Sequence, residues 1–504
     1  MALLALTEYS TLLHSPTTWL ATLLVLTALY LTSNRYQKGL SKIPGPWVRS
    51  LSTLPRMWAI YATHSQEYDI KLHEKYGKIV RVAPNILSIS DTSEINQLYG
   101  ITTKFTKSGF YSLAEVYDEN GQLFPDPFIL KDKDLHSRMK RNAANAYSLN
   151  ALIQMEPYVD EVLGALLNKL DSFAANGADC DLGETSKDYA MDAVTSITFG
   201  KNFNYINKGD HLRFYKGLDV MTDYMAIFGQ IPWIHAYLLK NPRVLQWWLK
   251  DDNSSAEIAA LSEREIEKSR ERTTDTGPMT FLERLALNQK TNAASITDHE
   301  MLTHAVGNIS AGSDTTATAI RALLYHVLKD ERVYKKLAEE VRNNLSPRVA
   351  FAAANDLPYL GACIREAMRV HPSVGLLLGR TVPKGGATIC NHYVQEGTEV
   401  GLNPFVLHHD PHVFPEPTVF KPERWLLSES SEEHLKMMNR CFFAFGHGAH
   451  TCSGRHISIL EITKLIPTLL LRYDLELVDG GRSYRYKNRW FTTQEGLLIK
   501  LTRR

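Results

Sequence analysis

Neither sign of charge is in surplus: 56 basic and 55 acidic side chains leave a net charge of +1 over 504 residues. No basic excess points to nucleic acid, and no acidic excess to a solvated, disordered chain. Cysteine is scarce. Cys180, Cys363, Cys390, Cys441 and Cys452 are too few, too scattered and odd in number for a disulfide framework, which favours a reducing, cytosol-facing compartment. Between residues 48 and 504 there is no internal repeat and no low-complexity tract. GxSxG and HExxH are absent, which removes the commonest serine-hydrolase and zinc-protease signatures.

What is present begins at the N-terminus. From Tyr9 to Asn34 there is no Asp, Glu, Lys or Arg, and Trp19 to Leu31 is almost wholly apolar. Roughly 20 residues of helix cross the hydrocarbon core, so a membrane helix is expected over about residues 12–32. Arg35, Lys38 and Lys42 follow it, and the positive-inside bias places the rest of the chain in the cytosol. A cleaved signal would want its cations before the apolar run. Ile43-Pro44-Gly45-Pro46-Trp47 then forms a stiff connector. The expected division is an anchor over 1–42 and one large domain over 43–504.

With 44% apolar residues, that domain has material for a large core. Alternation near Ile79 to Ser90 and Ala387 to Val400 reads as short strands, and the remainder has mainly helical spacing. The predicted class is mainly α with small β-sheets. Residues 251–296, polar and broken by Gly277-Pro278, read as a surface connection. Thr297-Asp298-His299-Glu300 has the spacing of a capping box, and no proline occurs before Pro347, so a helix of about 30 residues is expected. Ala311-Gly312-Ser313-Asp314-Thr315-Thr316 lies in its middle. Such small and polar residues let a helix open locally or let it pack closely against a neighbour.

The strongest chemical signal is Phe445-Gly446-His447-Gly448-Ala449-His450-Thr451-Cys452-Ser453-Gly454, followed by an apolar-periodic run from Ile457 to Leu471. The glycines permit a tight loop with exposed amides, and Cys452 falls at the start of a helix, two features that stabilise a thiolate. Gly446-His447-Gly448 also opens like a dinucleotide loop, but the last glycine of GxGxxG is missing at Thr451 and no βαβ pattern surrounds it. In His408-His409-Asp410-Pro411-His412 the adjacent histidines stand before a proline and so lack the i,i+4 helical geometry of a zinc pair.

The loop resembles the haem-binding signature of the cytochrome P450 superfamily, FxxGxRxCxG, met at Phe445, Gly448, Cys452 and Gly454, with His450 where the pattern has Arg. Glu366-Ala367-Met368-Arg369 resembles the ExxR element and Pro422-Glu423-Arg424-Trp425 the PERF/PERW element, while Ala311 to Thr316 resembles AGxDT. The flanking blocks Lys75 to Asp91, Phe105 to Tyr111, His136 to Ser148 and Trp490 to Leu501 are most similar to fungal monooxygenases of the pisatin-demethylase-like group.

The resemblance implies a single large domain around a buried haem b, with Cys452 as axial iron ligand and Glu366, Arg369 and Arg424 as a structural network. It implies that Asp314 and Thr315 deliver protons for dioxygen cleavage. His136, Arg380, His450 and either Lys140 or Arg141 would contact the haem carboxylates. Electrons would come from a separate NADPH-cytochrome P450 reductase, since no nicotinamide or flavin site is evident. Lys131, Lys133, Arg138, Lys140 and Arg141 form a basic run suited to docking it or to binding the propionates.

Thiolate donation favours O–O cleavage. The expected reaction is oxidation of a lipophilic small molecule in secondary metabolism, at the endoplasmic reticulum with the domain facing the cytosol. Expected substrate contacts are Phe110, Tyr111, Val116, Leu123 and Phe124, then Met225 and Phe228, Val374 to Leu378, and Phe491. Two other readings stay open, a haem-thiolate isomerase or peroxygenase and a non-catalytic haem sensor. The Asp314-Thr315 pair argues against both.

Overall fold

The computed structural model describes residues 16–117, 123–241, 243–244, 254–271, 277–292 and 296–504. Helices dominate, and the longest, Asp298–Lys329, runs through the centre. Its start is fixed as expected: the Thr297 hydroxyl accepts from the Glu300 amide, and the Glu300 carboxylate accepts from the Thr297 amide. Leu182–Phe199, Pro358–Val370 and Arg455–Arg472 pack around it.

A Cβ added at Gly312 would stand 2.8 Å from the Val194 side chain, so glycine there serves close approach of two helices. The helix is continuous through 311–316, and the expected local opening is not present as a break. The Thr315 hydroxyl instead donates back to the Ala311 carbonyl at 2.7 Å.

A five-stranded sheet is ordered Ile79–Ala83, Ile86–Ile89, Glu399–Leu402, Arg380–Thr381, Thr106–Lys107. Its register sets Lys107 directly opposite Arg380. The expected strands between 387 and 400 resolve into a hairpin, Ala387–Ile389 against His392–Val394, turning through Cys390 and Asn391 at positive φ.

The reading of 251–296 as a connection is corrected by two helices among its described residues, Ser254–Arg270 and Phe281–Thr291. The second has its own capping box, Thr280 with Glu283, and buries Phe281, Leu282, Leu285 and Ala286. Its polar composition hid that apolar stripe.

The N-terminal helix spans Pro16–Tyr36, four residues beyond the expected end at 32, and its expected start at 12 lies outside the described residues. It is the one described helix long and apolar enough to cross a membrane. It buries no residue against the domain. Domain packing begins earlier than Ile43, because Leu40 already joins Ile79, Leu87 and Ile89 in one apolar cluster. The guanidinium of fully buried Arg81 donates to the Asn34 carbonyl at 2.5 Å and the Arg35 carbonyl at 2.8 Å, closing the C-terminal end of that helix.

Candidate active site

The cysteine loop is built by its own backbone. The Cys452 amide donates to the Phe445 carbonyl at 2.8 Å, and the Gly446 amide to the Phe443 carbonyl at 3.0 Å. Gly448 has φ +61°, and a Cβ there would meet the Tyr99 carbonyl at 2.1 Å, so only glycine fits. Cys452 precedes the helix Arg455–Arg472 by three residues and exposes its side chain in a recess. Burial in that recess pushes the thiol up, against the pull of the Gly454 and Arg455 amides and the charges of Lys140 and Arg455. Amides and helix start act in the expected direction, but desolvation outweighs them in the protein alone.

Beside this loop the fold gathers cations. Lys107, His136 and Arg380 are each 5% exposed or less. The His136 and His450 rings lie 4.4 Å apart between centroids. Lys140 Nζ donates to the carbonyls of Ala449 and Thr451, at 3.0 and 2.6 Å, and so braces the cysteine loop. Arg141, one position on and so turned away from Lys140, is exposed and joins none of these groups.

The cluster is electrostatically costly. Burial, Arg380 and Lys140 bring the Lys107 ammonium down to about 7, with Asp126 opposing. Burial together with Lys107, Lys140 and Arg380 brings His136 down to about 3. Desolvation followed by Lys107, Arg380, His136 and Lys140 brings His450 down to about 2. Like charges placed opposite each other on a sheet, as Lys107 and Arg380 are, disfavour folding. The buried Arg380 Nε and His450 Nδ1 also lack partners. Such a cluster fits a dianionic ligand reaching the same recess as Cys452. Lys107 escaped the sequence reading because its partner lies on a strand 273 residues away.

Behind the loop, Glu366 and Arg369 form the expected i,i+3 pair on Pro358–Val370, with contacts of 2.8 and 2.9 Å. Arg424 Nε reaches Glu366 at 3.1 Å, and the Trp425 indole adds a donor at 2.9 Å. Arg369 further donates to the carbonyls of His408 and Pro417. His408 links the network to the loop: its Nδ1 meets the Arg369 carbonyl at 3.0 Å, and its Nε2 accepts from the Phe443 amide at 2.8 Å. That pattern requires a neutral ring protonated at Nδ1, consistent with burial bringing His408 down to about 3.

On the long helix, Asp314 and Thr315 point apart, as neighbours in a helix do. Asp314 is 2% exposed and pairs with Lys187 Nζ at 2.8 Å. Thr315 is partly exposed, and its carbonyl accepts from the Ser373 hydroxyl at 2.8 Å.

A family model described as cytochrome P450 matches residues 44–500. The chain is 32% identical to the cytochrome P450 monooxygenase cicH of Emericella nidulans over 93% of this chain and 95% of that one. The same identity relates it to pkfB of that organism, over 92% of each chain. It is also 32% identical to mpaDE' of Penicillium brevicompactum over 95% of this chain, which spans 57% of that longer protein. The chain belongs to the cytochrome P450 family.

This P450 is a monooxygenase, and its family uses thiolate-ligated haem b. An apolar cluster contains many of the expected substrate contacts: Phe110, Tyr111 and Met225 are buried in it, with Phe228, Val374, Leu376, Leu378 and Phe491. Trp490, absent from the expected set, is at its centre, 4.9 Å from the Phe110 ring and 5.7 Å from that of Phe128. Its neighbour Phe491 stood in a recognisable block, but nothing in the spacing showed that the larger ring turns inward. Val116, 60% exposed, and Leu123 lie instead where Tyr117 pairs with Leu123 and the Phe124 amide donates to the Val116 carbonyl, and the Phe124 ring meets His299.

The basic run of this P450 is mostly committed internally. Lys131 pairs with Glu115, Lys133 with the Thr103 carbonyl, and Arg138 with Glu300. Lys140 braces the loop, while Lys131 and Arg141 are exposed at the surface.

Proposed function

We propose that Cys452 ligates haem iron, that Lys107, His136, Lys140, Arg380 and His450 hold the haem carboxylates, and that the enzyme oxidises a lipophilic metabolite with NADPH electrons from a separate flavoprotein reductase. The observation that carries this reading is the cluster of buried basic side chains, in which Arg380 outweighs Asp126 at Lys107, lodged against the exposed cysteine of a glycine-shaped loop. Bound haem supplies the iron at which dioxygen is reduced and cleaved, with one oxygen atom passing to substrate and the other leaving as water.

The protein contributes the rest. Amides of Gly454 and Arg455 moderate the charge on the Cys452 sulfur. The cluster around Trp490 excludes water and holds an apolar substrate. The Thr315 hydroxyl, having donated to Ala311, keeps its lone pairs free to order a proton donor.

Thr315→Ala therefore retains haem and diverts reducing equivalents to hydrogen peroxide. The fraction of NADPH electrons recovered as peroxide, with reductase and no added substrate, rises several-fold; an unchanged fraction would remove Thr315 from proton delivery. Lys107→Ala weakens haem retention by about 2–5 kcal/mol, the usual cost of removing one partner from a buried charge contact. Haem transfer to an acceptor apoprotein measures it, and wild-type retention would exclude Lys107.

The exposed N-terminal helix and its following cations support single-pass anchoring in the endoplasmic reticulum membrane with the domain in the cytosol. The fungal relatives support a place in secondary metabolism. Expression with a reductase, followed by metabolite profiling against pathway intermediates, tests this reading and identifies the substrate; absence of any NADPH-dependent product would count against it.

A further inference from the structure

Arg380 is sealed from solvent, yet the oxygens its guanidinium meets are uncharged. Nη1 donates to the Gly379 carbonyl at 2.9 Å and lies 3.5 Å from both the Leu378 carbonyl and the Tyr111 hydroxyl. Nε has no partner. Glu399 attracts the guanidinium, but the Glu399 side chain is hydrogen-bonded to Ser108. What flanks the cation is aromatic. Its central carbon lies 4.6 Å from the middle of the Tyr99 ring and 5.9 Å from that of the Tyr111 ring. Lys107 Nζ lies 5.7 Å from the same Tyr111 ring. The negative face of an aromatic ring attracts a cation, most strongly where water is excluded.

Tyr99 ends the short helix Ile95–Tyr99 and is itself held at several points. Its hydroxyl donates to the Leu378 carbonyl at 2.7 Å and accepts from the Leu402 amide at 2.8 Å. Leu378 leads into the strand of Arg380, and Leu402 closes the strand beside it. The ring also meets that of Phe443 edge-on at 5.1 Å, and the Tyr99 carbonyl lies where a side chain at Gly448 would be. One residue therefore joins the sheet, the guanidinium and the cysteine loop.

We propose that Tyr99 is a positioning residue for the haem carboxylates, whose ring face holds the Arg380 guanidinium in the recess beside the cysteine loop. The inference rests on the reading of Arg380 as a carboxylate contact. A bonded carboxylate from the protein would compete with haem for this cation, and a ring face steadies the charge without neutralising it. Tyr111 supports the same guanidinium from the side of the apolar cluster around Trp490.

Full-length haem-loaded Y99F, Y99M, R380M and the Y99M/R380M double variant test this, by haem transfer to an acceptor apoprotein and by the haem reduction potential. R380M releases haem faster and lowers the potential, because a nearby cation favours the added electron. Y99M releases haem about fivefold faster, within the range spanned by one buried cation–ring contact, and shifts the potential in the same direction. Y99F keeps the ring and recovers most of the loss. The double variant releases haem no faster than R380M. Phenylalanines with successively more ring fluorines at position 99 keep the fold while fading the negative face, so release quickens along the series and stays level along it when Arg380 is methionine. Independent, multiplying effects in the double variant, or a level fluorine series with Arg380 in place, would overturn the proposal while leaving Arg380 its role. If R380M holds haem as wild type does, the carboxylate reading of Arg380 falls and the role of Tyr99 with it.

Discussion

Replacing Cys452 with serine is expected to abolish the red-shifted Soret band of the reduced, carbon monoxide-treated protein and to abolish turnover. That shift requires a thiolate ligand, and an alcohol oxygen does not reproduce its electron donation. The loop should survive the change, because its main contacts are backbone bonds from Cys452 to Phe445 and from Gly446 to Phe443. Haem is then retained by the cation cluster in part of the protein, with a spectrum lacking the thiolate signature. The other cysteines offer no substitute: Cys180, Cys363 and Cys441 are buried, and Cys390 lies in the hairpin turn. A wild-type spectrum in Cys452→Ser would place the ligand elsewhere.

The second large effect is expected from Glu366→Ala. Removing this carboxylate leaves Arg369 and Arg424 buried without their counter-charge and takes an acceptor from the Trp425 indole and the Lys421 amide. Breaking a buried pair in this way costs about 3–5 kcal/mol, a large share of the roughly 5–15 kcal/mol that holds a domain folded. Through His408 the loss reaches Phe443 and the cysteine loop, so haem content should fall together with stability. Expression yield, haem-to-protein ratio and melting temperature measure it, and a fully loaded variant of unchanged melting temperature would contradict this role.

The same network predicts the direction of acid sensitivity. Burial alone would raise Glu366, but the hydrogen bonds and charges of Arg369 and Arg424 outweigh it and hold the carboxyl below its usual range. Its contribution is complete above the ordinary glutamate value of about 4.3 and is lost as pH falls through the lowered folded value. Acid unfolding of the wild type should therefore show this loss below the ordinary range, and Glu366→Ala should lack that component.

Glu366 and Arg369 were legible because a helix brings residues three apart onto one face, and Cys452 because glycine spacing and a helix start surround it. The central helix was legible from its capping box. Contacts made across the fold were not. Nothing local in the sequence sets Lys107 opposite Arg380, turns Asp314 toward Lys187, or puts Trp490 among Phe110 and Phe128. Lys140 and Arg141 were indistinguishable as neighbouring cations until the helix Lys133–Ala143 directed one at the cysteine loop and the other at solvent. Gly312 shows how one pattern served two readings: close packing against Val194 accounts for a glycine that the opening of the helix also explained.

Turnover under isotopically labelled dioxygen tests the central claim most directly. With the full-length protein, reductase, NADPH and the substrate found by profiling, the account requires one labelled oxygen atom in the hydroxylated product, and loss of that product without NADPH. Product that forms without NADPH, or carries its new oxygen from water, would contradict a thiolate-ligated monooxygenase built on Cys452.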